Sequence, residues 1–390
     1  PGCGHSENRI LLSDLCRLVI KLVRLADQHH HPILMNPFPA SPLQRAKSDP
    51  KLGGPLALFA MFLVQPALTG PLAHGAEPAL RHPISFDTAA ADAILSGLSV
   101  FPPDNPWNTP VDDWPVAANS QAMIEAIGAD KPLRCNTDMG FMLVPPDQAK
   151  VPVTVTPYAD ESDPGPYPVP ENAVIEGWPA AFTRASGPEK RLTLEDVQRG
   201  KPSLDADRHG IIVDPVNRKL YEFYRLTRTD SGWIAAQASI FDLASNRLRP
   251  DGWTSSDAAG LPIFPAVVRH DELVRGEIRH ALRVTFSRTR RAFVHPATHF
   301  ASRLTDEHLP RMGERLRLRQ DFDVSTFSRE VRILLVALQK YGMMVADNGI
   351  DWAVSMTPDE RIPVIHEELR KVRGSDFEVV TAPADRLPPR

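Results

Sequence analysis

The stretch HGIIVDPVNRKLYEFYRLTRTDSGWIAAQASIFDL (209–243) decides the fold class. Three apolar runs, 210–214, 219–226 and 233–243, are parted by Pro215-Val216-Asn217 and by Thr229-Asp230-Ser231-Gly232. Strand-forming residues bounded by turn formers at this spacing predict an antiparallel meander. Towards the C-terminus, further strands are expected at 278–286, 291–295 and 314–319, with 343–347 and 352–355 forming the next pair. In 314–319, Arg315, Arg317 and Arg319 alternate with Leu316 and Leu318, which predicts a half-buried strand with a solvated basic face. One helix is expected over about 327–341, where Phe327, Val331, Leu334, Leu338 and Tyr341 share a face. Ser325 or Thr326 would cap its start and Gly342 would stop it. A short charged helix is expected near 366–371. No long period repeats and no βαβ alternation is present, so the expected class is α+β, mostly β. The architecture would be antiparallel sheets in a sandwich or partial barrel, with one main helix and long proline-rich wrapping loops.

Towards the N-terminus, residues 101–188 are loaded with proline, from Pro102 to the DESDPGPYPVP run at 160–170. Proline removes a backbone donor and fixes φ, so this half reads as ordered extended loop lying over the strands, with a short strand at 151–156. Further upstream, Arg45, Lys47 and Lys51 precede the apolar run LALFAMFLVQPALTGPL (56–72), and Ala73-His74-Gly75-Ala76 follow it. That is the order of a secretory signal, and the run is short and proline-broken for a membrane span. The expected organisation is an upstream over-extension (1–34), a signal peptide from Met35 to residue 76, a lead-in (77–100) and one globular domain (101–390). The domain would comprise a proline-rich half (101–208) and a strand-rich half (209–380). The mature protein would be periplasmic or extracellular, with no stable membrane insertion after cleavage.

Net charge is −4 over 390 residues, so nothing points to a polyanion-binding surface, and no nucleic-acid partner is expected. Only Cys135 lies in the mature region, which leaves the fold to its core rather than to a disulfide. Glycine-rich phosphate loops, dinucleotide fingerprints and Gly-x-Ser-x-Gly elbows are missing from the sequence. His295 and His299 have two-ligand spacing, but Pro296 lies between them, so no metal or other cofactor is expected.

The six tryptophans are all flanked by turn-forming or small polar residues. Indoles on loops beside Asn and Asp suit sugar clefts, because the ring stacks on a pyranose while polar neighbours bond its hydroxyls. Trp107, Trp178, Trp253 and Trp352 are the expected substrate-binding residues; the competing reading makes each a plug at a strand end. The candidate catalytic groups are Asp207, His209, Asp257, Glu277, His280 and Asp347. Paired carboxyls at suitable separation cleave glycosidic bonds. His280 would share a strand face with Ile278, Leu282, Val284 and Phe286, either as a satisfied core histidine or as an acid–base group on a cleft floor.

The phrases FPPDNPWN (101–108), YADESDPGPYPVP (158–170), LRPDGWTSSDAAGLPIFPAVVRHDE (248–272), GEIRHALRVTF (276–286) and YGMMVADNGIDW (341–352) resemble a family of uncharacterised secreted bacterial proteins. The resemblance covers nearly all of 101–380 and implies export and one continuous architecture. It implies no activity and no catalytic residue. This chain departs from that pattern at Cys135-Asn136-Thr137-Asp138-Met139-Gly140. The expected function is a secreted carbohydrate-active enzyme, a glycoside hydrolase acting on an extracellular polysaccharide. The alternatives are a non-catalytic glycan-binding or cell-surface protein, and a polysaccharide lyase using His209 or His280 with Tyr and Arg.

Overall fold

A computed structural model describes residues 80–179, 191–201 and 203–383 of the chain. The expected over-extension and export signal lie outside the described residues. One sheet runs, in spatial order, β1 (Ile84–Ser85), β3 (Met142–Leu143), β5 (Gly210–Asp214), β6 (Lys219–Tyr224) and β9 (Gln237–Asp242). The meander is therefore real: β5, β6 and β9 pair antiparallel in sequence. The expected strand 233–243 is broken at Ala236, however. Its first part, β8 (Gly232–Ala235), leaves to join β7 (Thr227–Thr229) and β4 (Val153–Val155) in a small separate sheet.

A second sheet runs β14 (Phe377–Val380), β11 (Arg315–Leu318), β12 (Met343–Asn348), β10 (Leu282–Phe286), β13 (Ala353–Met356) and β2 (Arg134–Thr137). The class is α+β with a strand-rich body, but the sheets are mixed rather than antiparallel. The pairs β10–β12, β13–β2, β3–β5 and β4–β8 are all parallel. Consequently 343–348 and 353–356 do not pair with each other, because β10 lies between them. Residues 291–295 form no strand; Phe293 makes only an isolated bridge to Met312.

The main helix, α5 (Arg329–Lys340), buries Val331, Leu334 and Leu338 as its spacing demands. Ser328 occupies its N-cap in place of Ser325 or Thr326, and Gly342 follows its end at φ +66°. Four other helices among the described residues are α1 (Ala89–Gly97), α2 (Ser120–Ile127), α4 (His270–Arg275) and α6 (His366–Leu369), with the short α3 (Leu194–Gln198) making a fifth. Only α6 was anticipated. The alanine-rich α1 sits where a lead-in was expected, and its cap is sound: Thr88 Oγ1 accepts from Ala91 N at 3.1 Å.

Of the basic face expected on 314–319, Arg319, just past the end of β11, is solvated and pairs with Asp321, but the two arginines within the strand are not. Arg315 and Arg317 are buried, and their guanidinium groups hold down the proline-rich segment. Arg315 Nη2 donates to Pro106 O at 2.5 Å, and Arg317 Nη1 donates to Val111 O at 2.5 Å. Proline-rich chain has carbonyls in excess of N–H groups, and arginine's fan of donors supplies what its own backbone lacks. Phe101, Trp107 and Phe141 from that half pack in one core with Leu282, Val284 and Leu334 from the later half. A second cluster, on the far side of the meander sheet, contains Tyr167, Ile212, Phe223 and Trp233.

Candidate active site

The two large sheets converge on a cluster of charged side chains. Arg283 is the middle residue of a pattern in β10 whose alternate residues, Leu282 and Val284, lie in the core, so its side chain points the other way. There it meets Asp257 side by side, with Nε to Oδ2 at 2.8 Å and Nη2 to Oδ1 at 2.6 Å. Its remaining nitrogen, Nη1, donates to Ser355 Oγ on β13 at 2.6 Å. Burial works against the Arg283 charge, but Asp257, then Asp347 and Asp138, more than restore it, so its pKa rises above the usual guanidinium range.

Asp347 reaches this side through a bulge. Val284 pairs with Val345, but Thr285 pairs with Asp347, so Ala346 is an extra residue in β12. Were Ala346 paired in regular register, it would lie opposite Thr285 and Asp347 would continue the phase of Met343 and Val345 into the core; the bulge absorbs the extra residue and keeps Asp347 on the Arg283 side. Ala346 O also accepts from Ala259 N at 2.9 Å, which ties the Asp257 loop to the bulge. The Asp347 carboxyl is half-buried, and Asn348 N donates to its Oδ1 at 2.6 Å. Burial and the Asp257 charge push its pKa up to about 8, against the opposing pull of Arg283.

His209 ends the approach to β5. Its Nδ1 lies 2.7 Å from Glu176 Oε2 and its Nε2 lies 2.9 Å from Ser256 O. A carbonyl can only accept, so Nε2 carries a proton; the carboxylate calls for a proton on Nδ1 as well. Burial lowers the pKa of the ring, yet the Glu176 charge and hydrogen bond overcome it and raise it to about 10. Glu176 is pushed up by burial but held below the ordinary glutamate range by the imidazolium. Asp138, directly after β2, completes the cluster. Its Oδ1 is buried without a hydrogen-bond partner. Burial, then the charge of Glu176, raises its pKa to about 7.

Glu222 fixes the loop that carries Ser256 and Asp257. It shares a face of β6 with Leu220 and is fully buried. Its carboxylate accepts from Ile263 N at 2.9 Å, Phe264 N at 2.8 Å and Ser256 Oγ at 3.2 Å. Burial nonetheless raises its pKa to about 7.

Of the residues singled out in the sequence, the structure brings together His209, Asp257 and Asp347, with Asp207 at the rim, exposed and acting electrostatically on His209 and on Tyr224. Asp257 is 0 % exposed and wholly engaged by Arg283, so it frames the site instead of facing it. His280 belongs to a different buried network, with Nε2 2.8 Å from Glu272 Oε1 and Nδ1 2.9 Å from Ala281 O. Glu272 in turn binds Arg269, Nη2 to Oε1, at 2.8 Å. This matches the satisfied core histidine, not the cleft floor. Glu277 is on an outer surface, paired with Arg279 at 2.8 Å in a shallow groove beside α5.

The tryptophans divide. Trp352 is 0 % exposed, donates from Nε1 to Gly128 O at 2.9 Å and stands edge-on to Phe286. Trp107 is 2 % exposed in the same core. Both are plugs with no face open to a ligand. Trp253 is half-buried, and the Arg249 guanidinium lies 5.5 Å over its ring, so one face is already covered. Trp178 is half-buried, packed against both cores, two residues beyond Glu176. His295 bonds Asp251 and His299 bonds Ala258 O, each at 2.8 Å. Among the described residues no group of His, Cys, Asp and Glu is arranged to hold a metal ion, and no helix is long and apolar enough to cross a membrane.

Asp138, Glu176 and Arg283 were missed in the sequence. Arg283 offered one signal: a charge between Leu282 and Val284 in an apolar strand needs a buried counter-ion. The chain matches no family model, no curated protein and no solved structure.

Proposed function

We propose that the protein is a secreted carbohydrate-active enzyme, a glycoside hydrolase that uses Asp347 as general acid and Asp138 as the ionised partner, on an extracellular polysaccharide. One observation carries this reading. Two half-buried carboxyls, Asp138 and Asp347, share a cluster with Arg283 and have pKa values raised to about 7 and about 8. Glycosidic cleavage needs one carboxyl that keeps its proton and a second that has lost it. Asp347, the more strongly raised of the two, is assigned the proton, and Asp138 the ionised role. The fixed pairs Arg283–Asp257 and His209–Glu176 supply a rigid, charge-balanced frame for them. Export is supported by the charged, apolar and small-residue order of 45–76. A lyase would need a base with a free lone pair, and both ring nitrogens of His209 are engaged as donors.

A polysaccharide panel read for new reducing ends and for unsaturated products tests the proposal. Wild-type protein is expected to release reducing ends, and Asp347→Asn is expected not to. Unsaturated products would make it a lyase. Binding without either product would make it a non-catalytic glycan-binding protein.

A further inference from the structure

We infer that Tyr158 and Tyr224 form the stacking platform of this site and that the ring they hold is a neutral pyranose. The inference rests on the hydrolase reading above and names its substrate class and subsite. Tyr224 ends β6 on the same face as Glu222, and its ring lies 5.9 Å from the His209 ring between centroids. Burial raises its phenol pKa and Asp207 adds to the rise, Arg225 opposes it, and Asp347 and the Tyr158 phenol add less, so all four groups act on Tyr224 electrostatically. Tyr158 is 43 % exposed. An exposed aromatic ring beside a buried carboxyl cluster is the geometry that sugar stacking uses.

The backbone under Tyr158 is held firmly, which distinguishes it from a loose surface ring. Tyr158 N donates to Ala236 O at 3.1 Å, and Ala236 N donates to Tyr224 O at 2.8 Å, so the two tyrosines are linked through one residue. The following turn is tied to the catalytic loop: Thr254 N donates to Glu161 Oε2 at 2.8 Å and Arg249 Nη2 to Glu161 O at 2.8 Å. Asp163 Oδ2 accepts from Ile240 N at 2.9 Å on the neighbouring strand. A platform positioned before the ligand arrives loses little entropy on binding.

The charge of the cluster sets the class of sugar. Arg283 uses Nε, Nη1 and Nη2 on Asp257 and Ser355, and His209 uses both nitrogens on Glu176 and Ser256. The groups left to face a ligand are the carboxyls of Asp138 and Asp347, with Asp207 at the rim. A uronate ring would place its carboxylate against Asp138 and the exposed Asp207, while Arg225, the cation acting on Tyr224, is already engaged by Leu204 O and Asp205; that like-charge contact opposes binding. A neutral ring meets hydrogen-bond partners and two aromatic faces.

The test measures binding by calorimetry in the Asp347→Asn background, so that turnover does not enter. The probes are cellohexaose, xylohexaose, mannohexaose and maltohexaose, with hexagalacturonate as the acidic counterpart. At least one neutral probe should bind and the hexagalacturonate should not. Tyr158→Ala should weaken that binding about tenfold, and Tyr158→Phe should recover it, because stacking needs the ring and not the hydroxyl. Should Asp347→Asn not fold, the same substitutions in the active protein should raise KM with little change in kcat. No binding of any neutral probe, tighter binding of hexagalacturonate, or a Tyr158→Ala variant with unaltered affinity would each overturn the inference. Neutral binding without cleavage by wild-type protein would leave the platform standing and remove the hydrolase.

Discussion

Asp347 lies opposite Thr285 in the β12–β10 pair only because Ala346 is bulged out between Val345 and Asp347. That bulge carries the carboxyl from the core phase of its strand to the side where Arg283 and Asp257 meet. Set in regular register, Ala346 would take the place opposite Thr285 and Asp347 would fall back into the phase of Val345 on the apolar face.

Replacing Asp347 by Asn should reduce turnover about 10²- to 10⁴-fold, the range for loss of a general acid. It should also stabilise the protein at alkaline pH. The folded-state pKa is raised from 3.8 to about 8. The protonated carboxyl thus favours the fold fully below the unfolded pKa, and this contribution is lost as pH rises through about 8. Asn cannot ionise, so melting curves should show the variant above wild type near pH 9 and close to it near pH 4. A variant less stable than wild type at both ends would contradict the assignment.

The rate profile should be bell-shaped and narrow. Asp138 must lose its proton, near pH 7, and Asp347 must keep its own, up to about pH 8. Because the carboxyls share Arg283 and His209 as neighbours, the two limbs belong to the pair and not to single residues. Measuring kcat/KM across the range checks this; a plateau running through both values would remove the acid–base roles.

Asp257→Asn should act on the fold before it acts on chemistry. The change leaves the buried Arg283 guanidinium without its counter-charge, a loss of about 3–5 kcal/mol in comparable pairs. Denaturant unfolding reads it directly. Adding Arg283→Met should recover part of the stability but none of the activity, since the frame around Asp347 would be gone.

His280→Ala should lower the melting temperature by removing a partner from buried Glu272, at a cost of about 1–3 kcal/mol. Activity per folded molecule should stay near wild type, because His280 touches Glu272 and Ala281 and nothing in the carboxyl cluster. A selective loss of kcat in fully folded protein would return His280 to the chemistry.

Local signals account for much of the secondary structure. The turn at 215–217 announced the β5–β6 pair, the turn at 229–232 marks the β7–β8 pair, and the spacing of Val331, Leu334 and Leu338 announced α5. The same spacing logic failed at 343–355, where two adjacent strands look like a hairpin. Whether β10 inserts between them depends on pairing with residues some sixty positions away, which leaves no local trace. The tryptophans misled for a related reason. A turn residue beside Trp352 says that the chain bends there, not whether the indole turns inward, and Gly128 O waiting for its N–H lies far off in sequence.

The sequence by itself determined which segments could be strands or helices, because alternation and helical period are properties of neighbouring residues. It also placed His209 and Asp347 at strand ends, where side chains meet loops. Only the tertiary structure decided which carboxyls would keep their protons. Asp138, Glu176, Asp257 and Asp347 are ordinary acids as written; their separation into ion-paired and proton-holding groups comes from burial and from Arg283 and His209. A titrating group responds to every charge within a few ångströms, and in this fold those charges come from both large sheets and the Glu222-anchored loop between them.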